Sequence, residues 1–290
     1  MKMSPPLSLL IEPEGDSCLI IRLQVTQDSP LYSAEPINTA LNQLAIQLAH
    51  AIQLASQPVS ELRTPESLLA NGLPPVIIEA IPSFDTVGVY YDLDRWPSAA
   101  SNLAGAAPAQ VLTEALHRFV IRQLQALGLN SRSNTSTPEQ LSNQDSKTIE
   151  IPICYDLEYG IDLPELSQTM GLSIEQIIEL HTRQTLRVFM LGFSPGLPFH
   201  GLFDPAFNLP RRSQPRTQLV AGSVGIANRQ GVIYPFATPG GWHIVGRTPM
   251  RLFNPAQVPY TPYQAGDMIQ FRAISKAQFL QMQAEYEHSR

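Results

Sequence analysis

The stretch TQLVAGSVGIANRQGVIYPFATPGGWHIVGRTPMRLF, residues 217–253, decides the fold of the second half of the chain. It consists of short runs of β-branched and aromatic residues that are separated by turns containing Gly and Pro. Similar runs occur before it, in RVFMLGF, and after it, in DMIQFRAI. Short strands at close spacing with turn signals are typical of β-barrels and β-sandwiches. We therefore expect residues 148–290 to form a mainly-β domain.

The first part of the chain alternates between strand-like and helix-like patterns. CLIIRLQV, VIIEAIPSF and TVGVYYDL are rich in β-branched and aromatic residues. Apolar residues recur at spacings of three and four over residues 37–52 and again over residues 112–127, as on one face of a helix. Residues 1–128 are thus predicted to form a small α+β domain, with residues 56–75 as a polar surface insertion.

The segment LNSRSNTSTPEQLSNQDSK, residues 129–147, contains almost no side chain that could pack in a core. It is predicted to be a polar linker between the two domains.

A helical hairpin is predicted near residues 163–184, early in the second domain. Asp162 is expected to cap its first helix and Gly171 to end it, and Ser173 with Gln176 forms a capping box for the second. The pattern resembles a helix-turn-helix, but the second helix carries Glu where a DNA-reading helix needs Lys or Arg. A packed hairpin is the better interpretation.

Composition and charge narrow the class of protein. The 290 residues include 43% hydrophobic and 15% charged residues, with a formal net charge of -6, so neither nucleic acid nor an anionic membrane is an expected partner.

Cys18 and Cys154 lie in apolar runs and are expected to be buried free thiols in a reducing compartment. With no signal-peptide core and no apolar run of about 18 residues, the protein is predicted to be cytoplasmic.

The sequence GFSPG, residues 192–196, matches the nucleophile-elbow pattern G-x-S-x-G. In such an elbow the residue after the serine donates its backbone N–H to the oxyanion, and here that residue is Pro195, which has no N–H. We therefore do not expect Ser194 to be a nucleophile. The loop should instead be a rigid turn that presents Phe199 and His200.

Positive charge is concentrated in the richest segment, at Arg211, Arg212, Arg216, Arg229 and Arg247. Guanidinium groups suit carboxylates and phosphates, and neighbouring Gln and Tyr side chains supply neutral hydrogen bonds. Two interpretations stay open, a pocket for a small anion and a set of contacts that tie loops to carbonyls and to carboxylates of a partner subunit. No phosphate-binding glycine loop and no metal-ligand cluster occur in the sequence.

Several segments together resemble the KipI/PxpB family, which comprises the B-type subunit of bacterial 5-oxoprolinase, allophanate hydrolase subunit 1 and the carboxyltransferase domain, subdomain C/D. They are GDSCLIIRL, VIIEAIPSFDTVGVYYDL, IEIPICYDLEYGIDLPELSQTMGLSIEQIIELHT, GFSPGLPFHGLF, LPRRSQPRTQLVAGSVGIA and GVIYPFATPGGWHIVGRTP. The resemblance implies an α+β N-terminal domain followed by a mainly-β cyclophilin-like barrel. It also implies ATP-dependent opening of 5-oxoproline to L-glutamate by a complex with A-type and C-type companion subunits.

The resemblance suggests roles for individual residues. Arg216 or Arg247 would hold the substrate carboxylate, and Arg212 and His200 are further candidates for substrate contact. The residues expected to approach the amide as catalytic groups are His243, Tyr234 and Gln230. The site of ATP is not placed in this chain. Two departures from the usual family motifs are His200, where an apolar residue is more common, and Asn228-Arg229, where a Gly pair is more common.

Two other functions fit the same resemblance. One family member inhibits a sensor histidine kinase without catalysis, and other relatives form part of allophanate hydrolase or urea carboxylase systems. The urea carboxylase role would need a biotin-dependent partner.

Overall fold

The computed structural model describes residues 7–57, 73–95, 108–129 and 146–288. The chain divides into two compact units, Met1–Asn143 and Gln144–Arg290. The polar linker predicted at 129–147 and the insertion predicted at 56–75 lie almost entirely outside the described residues, so both stay predictions.

In its described residues, the first unit contains a four-stranded antiparallel sheet in the order β1-β2-β4-β3 and two α-helices. Its elements are β1 (Leu7–Pro13), β2 (Cys18–Val25), α1 (Thr39–Ala55), β3 (Ile77–Pro82), β4 (Thr86–Tyr91) and α2 (Pro108–Ala126). Alternate residues of β2, Leu19, Ile21 and Leu23, are buried in the same core as Leu44 and Ile52 of α1. The predicted α+β unit is thereby confirmed.

The second unit is built on a closed seven-stranded barrel in the order β10-β7-β6-β13-β5-β12-β9. Its strands are β5 (Thr148–Cys154), β6 (Thr185–Leu191), β7 (Pro198–Gly201), β8 (Arg216–Leu219), β9 (Ser223–Ala227), β10 (Gln230–Ile233), β11 (Thr238–Gly240), β12 (His243–Arg247) and β13 (Met268–Ile274). β13 pairs with β5 in parallel, and the other neighbours in the barrel are antiparallel. β8 and β11 form a separate two-stranded sheet. The mainly-β fold is confirmed as a barrel, and closure of a barrel pairs the strand edges that an open sheet would expose.

The α-helices in the described part of this unit are α3 (Leu163–Met170), α4 (Ile174–Thr182) and α5 (Lys276–His288). α3 ends at Gly171, which adopts the left-handed conformation, and α4 begins with a complete capping box between Ser173 and Gln176. Asp162 occupies the N-cap position of α3, but its side chain makes no capping hydrogen bond. The predicted side-chain cap is therefore wrong, because this carboxylate is engaged elsewhere.

The GFSPG segment connects β6 to β7 as a tight turn, so that the element directly after Ser194 is a strand and not a helix. Phe193 adopts a φ of 69° and is 73% exposed. The buried Tyr263 hydroxyl donates a hydrogen bond of 2.8 Å to the Gly196 carbonyl, and this bond stabilises the turn. A strand-turn-strand connection is not the strand-turn-helix geometry of a nucleophile elbow.

Cys18 and Cys154 are both buried free thiols, and burial raises the pKa of each. Across the described ranges, no helix combines the length and the apolar character needed to cross a membrane.

Candidate functional site

The Asp162 carboxylate is the centre of an ion-pair network in the second unit. It is only 2% exposed and accepts two hydrogen bonds from Arg216, of 2.9 and 2.6 Å, and one from Arg212, of 3.0 Å. The backbone N–H of Ile244 donates a fourth, of 2.7 Å. A buried carboxylate with this many donors is fully satisfied.

The network commits two of the predicted substrate-binding arginines to the protein itself. Arg216 grips Asp162 with both terminal nitrogens, and Arg212 also contacts Glu165 at 2.7 Å. The hydrogen bond that Arg212 donates to the Glu165 carboxylate is the main cause that raises the pKa of Arg212, so its guanidinium stays charged. These arginines therefore anchor residues 210–216 to the start of the helical hairpin.

Arg211 has different surroundings. Its guanidinium lies 5.0 Å from the centre of the Trp242 ring, and the side chain is exposed. Among the residues that the structure describes, no carboxylate or carbonyl pairs with it. A guanidinium held on an indole face keeps its in-plane N–H donors available for an anion.

Arg211 borders a cavity of about 290 Å³, which we call the arginine groove. It is lined by Glu165, Leu166, Thr169, Leu209, Pro210, Arg211, Arg212, Ser213 and His243. His243 Nε2 lies 2.9 Å from the Pro210 carbonyl oxygen, which can only accept, so Nε2 carries a proton in the hydrogen bond. His243 Nδ1 is shielded from solvent and has no partner in the described part of the chain.

Tyr234 is close to this groove but is buried, at 2% exposure. Its hydroxyl is tightly packed against Gly240, where an added Cβ would lie 2.4 Å from the oxygen. Burial raises the pKa of Tyr234 to about 12, against the smaller opposing effect of the Arg211 charge. At neutral pH it is a hydrogen-bond donor and not a base.

The structure does not bring the remaining candidates to the groove. Gln230 begins β10, directly after a turn in which Asn228 and Arg229 have φ values of 50° and 62°. Glycine adopts this left-handed conformation without strain, which is consistent with the Gly pair that the family resemblance leads us to expect there.

His200 lies in the barrel interior, with no exposed surface. Its ring meets those of Phe203 and Phe271 edge-on, and the space beside it exists because residue 231 is Gly. Burial lowers the pKa of His200 to about 3, so the ring is neutral. In this position His200 offers no atom to a ligand from solvent.

Arg247 lines a different cavity, of about 440 Å³. Of the predicted residues, Arg212 and His243 therefore line the arginine groove, His200 lies in the interior and Arg247 lines this second cavity. In the described ranges, no group of three or more His, Cys, Asp or Glu side chains is arranged to hold a metal ion.

Sequence reasoning placed Arg211 among the arginines of interest but not among the substrate contacts, and it missed Trp242. The sequence carries no signal that separates Arg211 from Arg212, because both are arginines in the same polar run. Trp242, whose indole ring supports Arg211, lies 31 positions further along the chain. Only the folded barrel puts the two side chains together.

Comparison with known proteins agrees with this fold. Residues 34–263 match the family described as carboxyltransferase domain, subdomain C and D. The B-type subunit of 5-oxoprolinase from Bacillus subtilis (strain 168) is 33% identical over 270 residues, which cover 93% of this chain and 94% of that protein.

Among solved structures, TTHA0988 is 27% identical, with a TM-score of 0.57 over 83% of this chain and 39% of its own. The urea carboxylase of Kluyveromyces lactis shares the fold at 14% identity, with a TM-score of 0.58 over 96% of this chain and 24% of its own. The chain belongs to the carboxyltransferase C and D subdomain family, which includes the B-type subunits of 5-oxoprolinase.

Proposed function

We propose that this chain is the B-type subunit of an ATP-dependent 5-oxoprolinase, which opens 5-oxoproline to L-glutamate together with A-type and C-type companion subunits. The observation that carries the proposal is the 33% identity to the Bacillus subtilis B-type subunit over 94% of that protein's length. Similarity over nearly the whole of both chains supports a shared role better than a shared motif would. The buried thiols are compatible with a cytoplasmic complex.

The chemistry begins with a stable cyclic amide. Transfer of the γ-phosphoryl group of ATP to the amide oxygen releases ADP and makes the ring carbon electrophilic. Water then adds to that carbon, and the C–N bond breaks with the nitrogen taking up a proton, which leaves an acyl phosphate. A second water hydrolyses the acyl phosphate to the carboxylate and inorganic phosphate. Because this sequence contains no phosphate-binding glycine loop, we assign ATP to a companion subunit or to a site shared with one.

We place the substrate carboxylate on Arg211 in the arginine groove. Arg216, which the sequence analysis proposed for this role, donates from both terminal nitrogens to Asp162. The Arg211 guanidinium instead lies on the Trp242 ring, and its N–H donors are available to a ligand. His243 lines the same groove, and we place it beside the amide of the substrate. Arg212 and Arg216 act as positioning residues, because they fix the segment that carries Arg211.

The test is oxoproline-dependent ATP hydrolysis by the reconstituted complex. Arg211→Ala should lower kcat/KM at least about tenfold, mostly through KM, because a charge-assisted contact to the substrate is lost. Stability of the isolated chain should change by no more than about 1 kcal/mol, since Arg211 is exposed. Arg211→Lys should recover only part of the activity, because a lysine cannot make the bidentate contact.

Two controls make the result specific. Arg216→Ala should destabilise the second unit by about 3–5 kcal/mol, because it leaves the buried Asp162 charge without its main partner. Arg272→Ala removes an exposed guanidinium paired with Glu150 and should leave activity unchanged. Wild-type activity in Arg211→Ala would contradict the groove assignment. Full activity of the companion subunits without this chain would contradict the function itself.

A further inference from the structure

The cavity that contains Arg247 is separate from the arginine groove and has its own chemistry. It lies between the loop after β12, the connection from β10 to β11, and helix α5, and its volume is about 440 Å³. Pockets that bind small molecules measure roughly 300–1,000 Å³. The cavity is therefore large enough for a ligand with more than a single functional group.

Arg247 is fixed in place but keeps donors for a ligand. Its Nε donates a hydrogen bond of 2.8 Å to the Ala221 carbonyl, and its guanidinium carbon lies 5.4 Å from the centre of the buried Phe279 ring. Gly222 allows the chain to pass close to this side chain, because a Cβ there would lie 2.2 Å from the Thr248 carbonyl oxygen and 3.3 Å from Arg247 Cγ. Among the described residues, neither terminal nitrogen of Arg247 has a hydrogen bond or ion pair.

A second guanidinium borders the same cavity without a carboxylate. Arg251 is exposed, and its Nε donates to the Phe253 carbonyl at 3.1 Å. The described residues that line the cavity include no Asp or Glu, so two positive charges face it in a chain whose net charge is -6. Arg216 shows the contrast, since its guanidinium is neutralised by Asp162. An unneutralised pair of guanidiniums favours an anion.

The rim of the cavity is aromatic. Phe236 is 43% exposed and Tyr286 is 37% exposed, and Phe236 contacts Phe253 with ring centroids 5.9 Å apart. Partly exposed rings at a cavity mouth provide flat apolar surfaces, and aromatic rings pair favourably with other planar rings. The cavity thus combines two guanidinium groups with partly exposed aromatic rings.

We propose that this cavity is a binding site for a small molecule that carries an anionic group on a planar ring. The anion contacts Arg247 and Arg251, and the ring packs against Phe236 and Tyr286. A nucleoside monophosphate and an aromatic carboxylate share this chemistry. Its lining residues are distinct from those of the arginine groove, so the proposal does not rest on the placement of 5-oxoproline there.

The experiment is calorimetric titration of the full chain with whole and divided probes. The whole probes are adenosine monophosphate and benzoate; the ring-only probes are adenosine and benzamide, and the anion-only probes are inorganic phosphate and acetate. At least one whole probe should bind at least about tenfold more tightly than either of its halves. Preference for adenosine monophosphate identifies a phosphate ligand, and preference for benzoate identifies a carboxylate ligand.

Variants then locate the binding. Arg251→Ala and Arg247→Lys should each weaken the preferred probe about 10–100-fold, and Arg247→Lys retains the charge and most of the stem if Arg247→Ala fails to fold. Phe236→Ala should weaken the whole probe but not its anion-only half. Arg211→Ala and Arg272→Ala should bind like wild type, which separates this site from the groove. The proposal is overturned if no whole probe exceeds its halves, or if both arginine variants bind like wild type.

Discussion

Arg211 and Arg212 are neighbours in the chain, yet the fold gives their guanidinium groups different tasks. Arg212 contacts Asp162 and Glu165 and holds a loop in place, whereas Arg211 lies on Trp242 and faces solvent. The difference follows from what each side chain meets in the fold, since Asp162 and Glu165 lie within reach of Arg212 and Trp242 lies within reach of Arg211. Residue type alone therefore does not assign a role to an arginine here.

Phe193 shows strain at the scale of a single residue. Its φ of 69° lies in the left-handed region, which is costly for a bulky side chain, and its ring is mostly exposed. Phe193→Gly should be more stable than Phe193→Ala by about 0.5–1 kcal/mol, because only glycine relieves the strained φ. Urea denaturation of the two variants measures the difference.

The matched control for this prediction is Leu280, an exposed residue within helix α5. There the order should reverse, with the glycine variant less stable than the alanine variant by about 1 kcal/mol. If the glycine variant is also the less stable one at position 193, the backbone strain assigned to Phe193 is absent in solution.

At the scale of elements, the helical hairpin and the barrel are joined through Asp162. This residue stands at the start of α3, and its backbone N–H donates to the Ile244 carbonyl while its carboxylate accepts from the Ile244 N–H. The same carboxylate holds the segment that leads into β8, through Arg212 and through Arg216 at the start of that strand. One buried charge thereby fixes a helix, a barrel strand and a loop relative to one another within the second unit.

The start of α4 depends on its capping box. The Ser173 hydroxyl accepts from the Gln176 N–H at 3.2 Å, and the Gln176 side chain accepts from the Ser173 N–H at 2.8 Å. Ser173→Ala should lower the free energy of unfolding by about 1 kcal/mol, because the first turn of the helix loses a hydrogen-bond acceptor. Thermal or urea unfolding of the chain provides the measurement.

Thr169→Ala serves as the control on the neighbouring helix. Its hydroxyl bonds back to the Glu165 carbonyl within the same helix, so it satisfies no unpaired group and its loss should cost little. Equal destabilisation by the two substitutions would mean that capping is not what Ser173 contributes.

At the scale of the whole molecule, the core of the second unit contains two neutral histidines. His181 and His200 have no exposed surface, and His181 shares a hydrogen bond of 2.8 Å with the Tyr155 hydroxyl. The rings of Phe203 and Phe271 stack on His181, which leaves no acidic group among these neighbours. Burial is the main cause that lowers the pKa of each histidine to about 3.

These two histidines make the second unit sensitive to acid. An unfolded histidine binds a proton near pH 6.5, whereas the folded ones stay neutral down to about pH 3, so the unfolded chain binds more protons between these values. The stability that they contribute is complete above pH 6.5 and is lost as the pH falls. Each histidine should remove about 1.4 kcal/mol per pH unit in that range.

The substitution that tests this is His200→Leu, followed by urea denaturation at several pH values between about 7 and about 4, inside the range where the two states differ in bound protons. The variant should lose stability on acidification less steeply than wild type, by about 1.4 kcal/mol per pH unit, because one titrating group is gone. His117→Leu replaces an exposed histidine and should leave the slope unchanged. Parallel slopes for wild type and His200→Leu would show that His200 is not held neutral.

The sequence by itself determined the features that depend on neighbouring residues. The strand runs of residues 217–253, the apolar helical faces of the first unit, the capping box at Ser173 and the left-handed Gly171 all follow from local backbone preferences. The unsuitability of Ser194 as an elbow nucleophile follows from one missing N–H at Pro195. Local chemistry of this kind is contained within a few positions of the chain.

Only the tertiary structure decided which charged groups are available. Asp162 forms an ion pair with Arg216, which lies 54 positions away in the chain. Closure of the barrel buries His200, and helix α5 completes the cavity around Arg247. The physical reason is that long polar side chains select partners by distance in space and by the cost of burying an unpaired charge. Both depend on strand pairings between residues remote in sequence, which spacing along the chain does not specify.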